Sequence, residues 1–507
     1  MKRIIRFLCF TLFFTLIGNG TSVYGQYNNN FWVFGDSVGI DWSNASNPTF
    51  FKSQTKVRGA STCIGDSNGL LFYSAIYEYA VPLNGYVWNK YHQKVQNGDS
   101  IRISGWYNDV IYVPHPGNDS LIYLICAQVA NISPTGFYYS VINKFSNSDS
   151  GAVIQKNIQI LPFKAFDGLT AIKHGNGKDY WLICRGWTPS TNNFHVFLID
   201  SIGINGPFIQ SIGSFNSTDI GSLNFNADGS RLSMVDGKGL IQVCDFDRCT
   251  GLFSNCIEIE GEGTVFNPST KYYSSAFSNS GQFLYVLQNE YGTINKPDRL
   301  YQFNLLDTNI LLSRDTLYEF FDPESPQTLR MAPDGKIYLT ASDITYGVLY
   351  LDSFYTNINT NLSVINYPDS LGTACDFQPF SFYLGGGRTY WGLPNITNYQ
   401  LGPLVGSPCD TLTVGLTEND EKNDVFFQAW YNPEWNMIHV NASKLKGKSG
   451  VLRLFDVEGR VVVEREVEVM SGGYFTGEIN MNGVASGVYI VSIVTEKDKV
   501  QSKVMKY

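Results

Sequence analysis

A tight glycine turn followed by an apolar, strand-like run recurs about every fifty residues over roughly the first four-fifths of this chain. The runs are Asn68-Gly69-Leu70-Leu71-Phe72-Tyr73, Gly117-Asn118-Asp119-Ser120-Leu121-Ile122-Tyr123 and Gly177-Lys178-Asp179-Tyr180-Trp181. They continue with Asp228-Gly229-Ser230-Arg231-Leu232, Gly281-Gln282-Phe283-Leu284-Tyr285 and Asp334-Gly335-Lys336-Ile337-Tyr338. A unit this short cannot bury both faces of its own sheet, so successive units must stack. Several short strands per unit at this period define a β-propeller. Asn-Gly and Asp-Gly fit the turns because tight hairpins need positive φ, which glycine adopts without strain.

Each repeat reads as four strands. In the fourth repeat, 222–225 is the inner strand, 231–235 the second and 240–246 the third, with a less regular segment last. Six repeats are explicit. A seventh assembles from 377–384 and 389–393 together with 31–34, so that Phe31, Trp32 and Phe34 meet Tyr390 and Trp391 and the ring has no open edge. The expected fold is all-β: a seven-bladed β-propeller over 26–400, with six or eight blades as the alternatives. Residues 401–423 are polar, with Gly402-Pro403 and Ser407-Pro408, and read as a linker. In 424–507 alternation resumes, with Val461, Val463, Val467 and Val469 on one face and Glu464, Glu466 and Glu468 on the other. That marks a small, Ig-like β-sandwich.

Within that last module stand Phe455-Asp456-Val457-Glu458-Gly459-Arg460, then Ser486-Gly487-Val488-Tyr489-Ile490-Val491-Ser492-Ile493, then Lys503-Val504-Met505-Lys506. In this order they resemble the type A C-terminal sorting domain of Bacteroidota type IX secretion cargo, with Trp430-Tyr431-Asn432-Pro433 where that family usually has Tyr-Pro-Asn-Pro. The resemblance implies engagement of the type IX secretion machinery and delivery to the cell surface or medium. A second likeness covers most of 30–396. Phe31-Trp32-Val33-Phe34-Gly35, Val113-Pro114-His115-Pro116-Gly117, Lys173-His174-Gly175-Asn176-Gly177 and Gly392-Leu393-Pro394-Asn395 resemble the propeller modules of Bacteroidota surface and gliding-associated proteins. It implies fold and location, not an activity.

The amino terminus agrees with export. Lys2, Arg3 and Arg6 precede an apolar run over 7–17 and a small-residue stretch ending at Gly25, the pattern of a secretory signal peptide over 1–25. The run is too short for a stable membrane span, and no transmembrane segment is expected in the mature chain. Cys9 lies in the middle of the run, unlike a lipoprotein anchor. The net charge of −9, without a basic cluster, argues against nucleic acid as a partner.

Export permits disulfides. A bridge among Cys244, Cys249 and Cys256, and one joining Cys375 to Cys409, are the expected candidates; sequence does not fix the pairing. The cluster lacks a CxxC pair and a nearby His, so no metal site is assigned. His115 and His174 close inner strands in neighbouring repeats, where turn capping explains each; His439 alternates with Ile438 and Val440 and reads as solvent-facing. No catalytic motif is present and no cofactor is implied. Asp-Ser/Thr-aliphatic triplets at Asp36, Asp99, Asp119, Asp200, Asp315, Asp369 and Asp410 resemble Bacteroidota O-glycosylation acceptors and equally suit turns.

The Asp-Gly turns are too short to build a pocket, so the expected ligand face is the opposite one. Its longer loops carry Tyr77, Tyr79, Trp187 and Tyr291, with Tyr346 in a shorter one. The chain thus reads as a surface-displayed binding, adhesion or envelope scaffold propeller for a glycan or protein. The alternative is a polysaccharide hydrolase or lyase with carboxylates in the propeller mouth.

Overall fold

The computed structural model describes residues 27–506 except 77–84, 105, 130–134, 188–190, 262–269, 291–295, 347–353, 411–424, 433–435, 458 and 471–472. The proposed signal peptide therefore lies outside the described residues.

Seven antiparallel sheets form the ring, and each is built from consecutive strands. Blade 5 shows the local logic, with strands Gly221–Phe225, Arg231–Asp236, Ile241–Asp247 and Leu252–Glu260. Its first turn closes because Asn226 Oδ1 accepts the Arg231 N–H at 3.0 Å and Asp228 Oδ1 accepts the Ser230 N–H at 2.8 Å. Gly229 there sits at φ +75°. The other turn glycines of the series also have positive φ, except Gly117. At Gly117 a Cβ would lie 2.7 Å from Ser201 Cα, so close backbone approach is the constraint instead. Blades 3, 4, 6 and 7 likewise have four strands, over 110–161, 170–216, 270–320 and 324–383. Blade 2 has three, Ser61–Asp66, Gly69–Ile76 and Gly85–Asn89.

Blade 1 closes the ring differently from the sequence expectation. Phe31–Phe34, Asp36–Asp41 and Thr49–Lys56 form a sheet entirely of amino-terminal strands. Phe377–Tyr383 instead completes blade 7 by pairing with Asn361–Ile365, and 389–393 is not a strand. Alternation along Phe31–Phe34 serves both neighbours. Phe31 and Val33 pack towards blade 2, while Trp32 and Phe34 join Trp42, Tyr338 and Leu362 towards blade 7. Trp32 meets Tyr338 edge-on at 5.8 Å, and Trp42 stacks on Phe382 at 5.7 Å. The aromatic seal predicted for closure is present, with Tyr338 and Phe382 in the places assigned to Tyr390 and Trp391.

After blade 7 the chain turns inward along the propeller axis. Thr328 and Thr340 hydroxyls both donate to the Trp391 carbonyl at 2.7 Å. Asn395 accepts from the Thr62 hydroxyl, donates its N–H to Ser61 O and its amide to Leu169 O, each at 2.7 Å. Tyr399 Oη donates to Tyr112 O at 2.9 Å, and Lys173 Nζ to Tyr399 O at 3.1 Å. Residues 391–399 thus run from the start of the inner strands of blades 2 and 4 towards their turn ends, touching blades 2, 3, 4 and 7.

The first part of the region read as a linker is tied to the ring. Leu404 N–H donates to Gly175 O at 2.7 Å, and Arg248 Nη2 to Gly402 O at 2.8 Å. The disulfides are Cys244–Cys256, within blade 5, and Cys249–Cys409; Cys375 is a buried free thiol. The Cys375–Cys409 bridge suggested by their bracketing positions does not form, because the axial segment carries Cys409 to blade 5 while Cys375 stays behind blade 7.

The C-terminal module is a sandwich. Phe426–Asn432, Met437–Ser443 and Phe475–Asn480 form one sheet; Ser449–Phe455, Val461–Glu468, Gly487–Thr495 and Lys499–Lys506 form the other. Ile438, Val440, Leu452, Leu454, Val491 and Ile493 fill the space between them. His439 lies on the outer face of its strand as expected, partly covered: Trp430 stacks on it at 5.3 Å and Glu478 Oε1 lies 3.2 Å from Nδ1. The module also touches the propeller. Val488 and Met505 join the apolar cluster of Trp181, Phe246 and Phe253, and Lys503 Nζ donates to Cys249 O at 3.1 Å.

Candidate ligand well at the propeller axis

The turn ends of the inner strands surround a cavity of about 440 Å³. Trp32 and Trp42 border it from blade 1, but both are buried in the seam with blade 7, Trp42 stacked on Phe382. Asn224 of blade 5 and Ser275 of blade 6 supply amide and hydroxyl groups, and Asn398 of the axial segment lies between. Arg330 of blade 7 is the single charged residue in the lining. The cavity reaches Ala227, Ala332 and Pro333 in the Asp-Gly turns, so it opens on the turn face, opposite the loops favoured from sequence.

The far end of the channel is shut by side chains reaching across it. Tyr107 stacks on Tyr273 of blade 6 at 5.4 Å and donates its hydroxyl to Gln327 Oε1 of blade 7 at 2.8 Å. The Trp391 ring lies 6.1 Å from Tyr107. Arg330 crosses towards blade 3, where Nη2 donates to Asn108 Oδ1 at 3.1 Å. The Tyr107 and Asn108 N–H groups are both held by the Asp167 carboxylate at 2.9 Å. Burial, reinforced by Asp109, pushes the Asp167 carboxyl up, while burial pulls the Arg330 guanidinium down to about 10. Among the described residues no carboxylate lies within ion-pair distance of Arg330, and its Nε has no hydrogen-bond partner. The Trp42 Nε1 donor is also buried and unpartnered.

Of the five aromatics chosen from sequence, Trp187 does not line this well. Tyr77, Tyr79 and Tyr291 lie outside the described residues, and Tyr346 ends the one-turn segment Ile344–Tyr346. Trp187 is half-buried beneath Lys164, whose Nζ lies 4.0 Å from the ring centre. The Trp187 backbone N–H donates to Lys164 O at 2.7 Å, and Lys164 pairs with Asp219 at 2.7 Å, so this ring packs on its own loop. His115 and His174 cap turns: each Nδ1 accepts an N–H from two residues on, at 3.0 and 2.9 Å. Aligning the repeats on their turn glycines offers one signal, the placing of Arg330. Arg330, Ala276 and Asn224 then fall in register, and a charge at an axis-facing position stands out.

Residues 428–507 match the family described as the secretion system C-terminal sorting domain. That match marks the module as a type IX secretion sorting signal, which directs export to the cell surface or release and implies contact with the type IX machinery. The chain is therefore a β-propeller cargo of that system. No curated protein matches the chain. Similar solved structures include a protein from Lactobacillus plantarum, at 11% identity and TM-score 0.43, covering 72% of this chain and 98% of that one. The Cps50 (Swd1) β-propeller domain of Myceliophteria thermophila is 9% identical with TM-score 0.37, covering 62% and 90%. PorZ of Porphyromonas gingivalis, described as a surface component of the type IX secretion system, is 12% identical with TM-score 0.28, covering 94% and 74%. The seven-bladed ring itself is defined by the strand pairing, not by these likenesses.

Proposed function

We propose that this protein is a surface-displayed binding propeller, led into the periplasm by the signal peptide over 1–25, exported through its sorting domain, and holding a polar small molecule or glycan end in the axial well. The observation that carries this reading is the well: a blind cavity bordered by the Asn224 and Asn398 amides and Arg330, with a size within the range of about 300–1,000 Å³ usual for ligand sites. Convergent amides and one cation suit the hydroxyls and charge of a polar ligand. The hydrolase alternative needs two carboxyl groups flanking a scissile bond. The lining contains none, which favours binding over cleavage.

The test is occlusion. Ser43 and Ala227 are exposed residues on the rim of the well. Ala227→Trp and Ser43→Trp should abolish attachment to glycan arrays or whole cells without lowering the melting temperature. Undiminished attachment by both variants would refute the reading. Loss on Trp187→Ala instead would move the ligand to the opposite face.

A further inference from the structure

The chemistry of the floor specifies the ligand more closely, resting on the proposed binding role. We infer that the well takes a carboxylate-bearing sugar, of the uronate type, whose acid group sits on Arg330.

Arg330 projects from an inner strand into the axis and spans it to Asn108; the residue is partly exposed, and its guanidinium lies beside the void. A cation taken out of water is stabilised only by a counter-charge or a full set of acceptors. One amide oxygen accepts from it, and no carboxylate pairs with it among the described residues. Both Asp167 carboxyl oxygens are taken up by the N–H groups of Tyr107 and Asn108. An arginine held by one amide oxygen, with no carboxylate partner among the described residues, leaves a place for an anion, and the well is open space that it lines.

Charge and shape narrow the class. The lining has one cation and no acid, which matches a group of charge −1 better than a phosphate monoester, whose charge near −2 calls for a second cation or a helix N-terminus. A planar guanidinium matches a carboxylate in geometry. The remaining lining of Asn224, Ser275 and Asn398 is neutral and polar. This suits a hydroxyl-rich ligand rather than an aliphatic acid.

The test uses the mature full-length chain, with sodium glucuronate, sodium galacturonate, glucose, galactose and glucose 6-phosphate as calorimetric titrants. Either uronate should bind the wild type at least about tenfold more tightly than its neutral sugar, as expected for a charge-assisted pair. Arg330→Gln should remove that preference, and Arg330→Lys should retain part of it. The wild-type comparison stands even if a variant fails to fold. Equal affinity for acid and neutral sugars, no binding of either uronate, or a preference surviving in Arg330→Gln would each overturn the inference. Tighter binding of glucose 6-phosphate than of both uronates would overturn the carboxylate assignment. Glycan-array attachment that is abolished by Ala227→Trp but indifferent to acidic sugars would leave the binding role standing and sink only this inference. Absence of any attachment would sink the binding role itself.

Discussion

Asp36 and Arg388, at opposite ends of the propeller sequence, are joined by both backbone and side chain. Each donates its N–H to the other's carbonyl, at 2.8 and 3.2 Å, and the guanidinium Nη2 and Nε reach Asp36 Oδ2 at 2.9 and 3.0 Å. The arginine side chain is 2% exposed. This pair, and not a shared strand, fastens the last blade to the first.

Removing one partner should therefore leave a buried charge unbalanced. Arg388→Met is expected to cost about 3–5 kcal/mol, and Asp36→Asn with Arg388→Met together considerably less. Urea midpoints of the wild type, the single and the double variants measure this. A single variant within error of the wild type would show that the pair is incidental to closure.

The axial segment should carry as much stability as the amino-terminal strands. A chain ending at Tyr383 loses the bonds of Trp391, Asn395 and Tyr399 to four blades, whereas one ending at Asp410 keeps them. The shorter chain is expected to fold poorly or melt well below the longer. Asn395→Ala alone should cost about 1–3 kcal/mol by leaving the Leu169 carbonyl unsatisfied in the interior. Equal melting temperatures for the two truncations would refute an axial strut.

Release of the sorting domain should follow a cut beyond Cys409. A cut at 401–408 would leave the module tethered through Cys249–Cys409, whereas a cut within 411–424 frees it once the contacts of Val488, Lys503 and Met505 give way. Surface-released protein is expected to end within 411–424, with the same intact mass before and after reduction, apart from the hydrogens that reduction adds. A mass that falls by a whole module on reduction would place the cut before Cys409.

Acid stability should report two buried imidazoles. Burial holds His174 and His195 down to about 4, aided at His174 by Lys503 and at His195 by Arg185. In the unfolded chain each protonates near 6.5, so their contribution is complete above that pH and is lost as pH falls towards 4. Each is expected to cost about 2 kcal/mol of stability at pH 5. Replacement by Asn should flatten the acid limb of the stability curve between pH 6.5 and 4. Lys503→Gln should raise the His174 titration midpoint, read by NMR, if the sorting domain docks as described; an unmoved midpoint would show the two domains apart in solution.

Much of the fold was legible because its determinants are local. Positive-φ glycines, Asx side chains two residues ahead of a turn N–H, and period-two apolar runs fix each hairpin within about fifteen residues, as in Asn226–Arg231. The sorting module was legible for the same reason, its alternation and motif order lying in one contiguous stretch. Alternation was a weaker guide at its edge, where Val461 remains half exposed.

What joins distant segments depends on where the ring brings them, and no local pattern carries that. Phe31–Phe34 was assignable as a strand, but its partners Tyr338 and Phe382 were not, since several aromatics fit such a seal equally well. Cys249 had two candidate partners by spacing, Cys244 and Cys256, and found Cys409 only because the chain after blade 7 crosses the axis. Arg330 reads in sequence as one more strand residue. Its reach across the channel to Asn108, and the void beside it, exist only once seven blades have closed, because curvature summed over the ring, not any single repeat, sets what faces the axis.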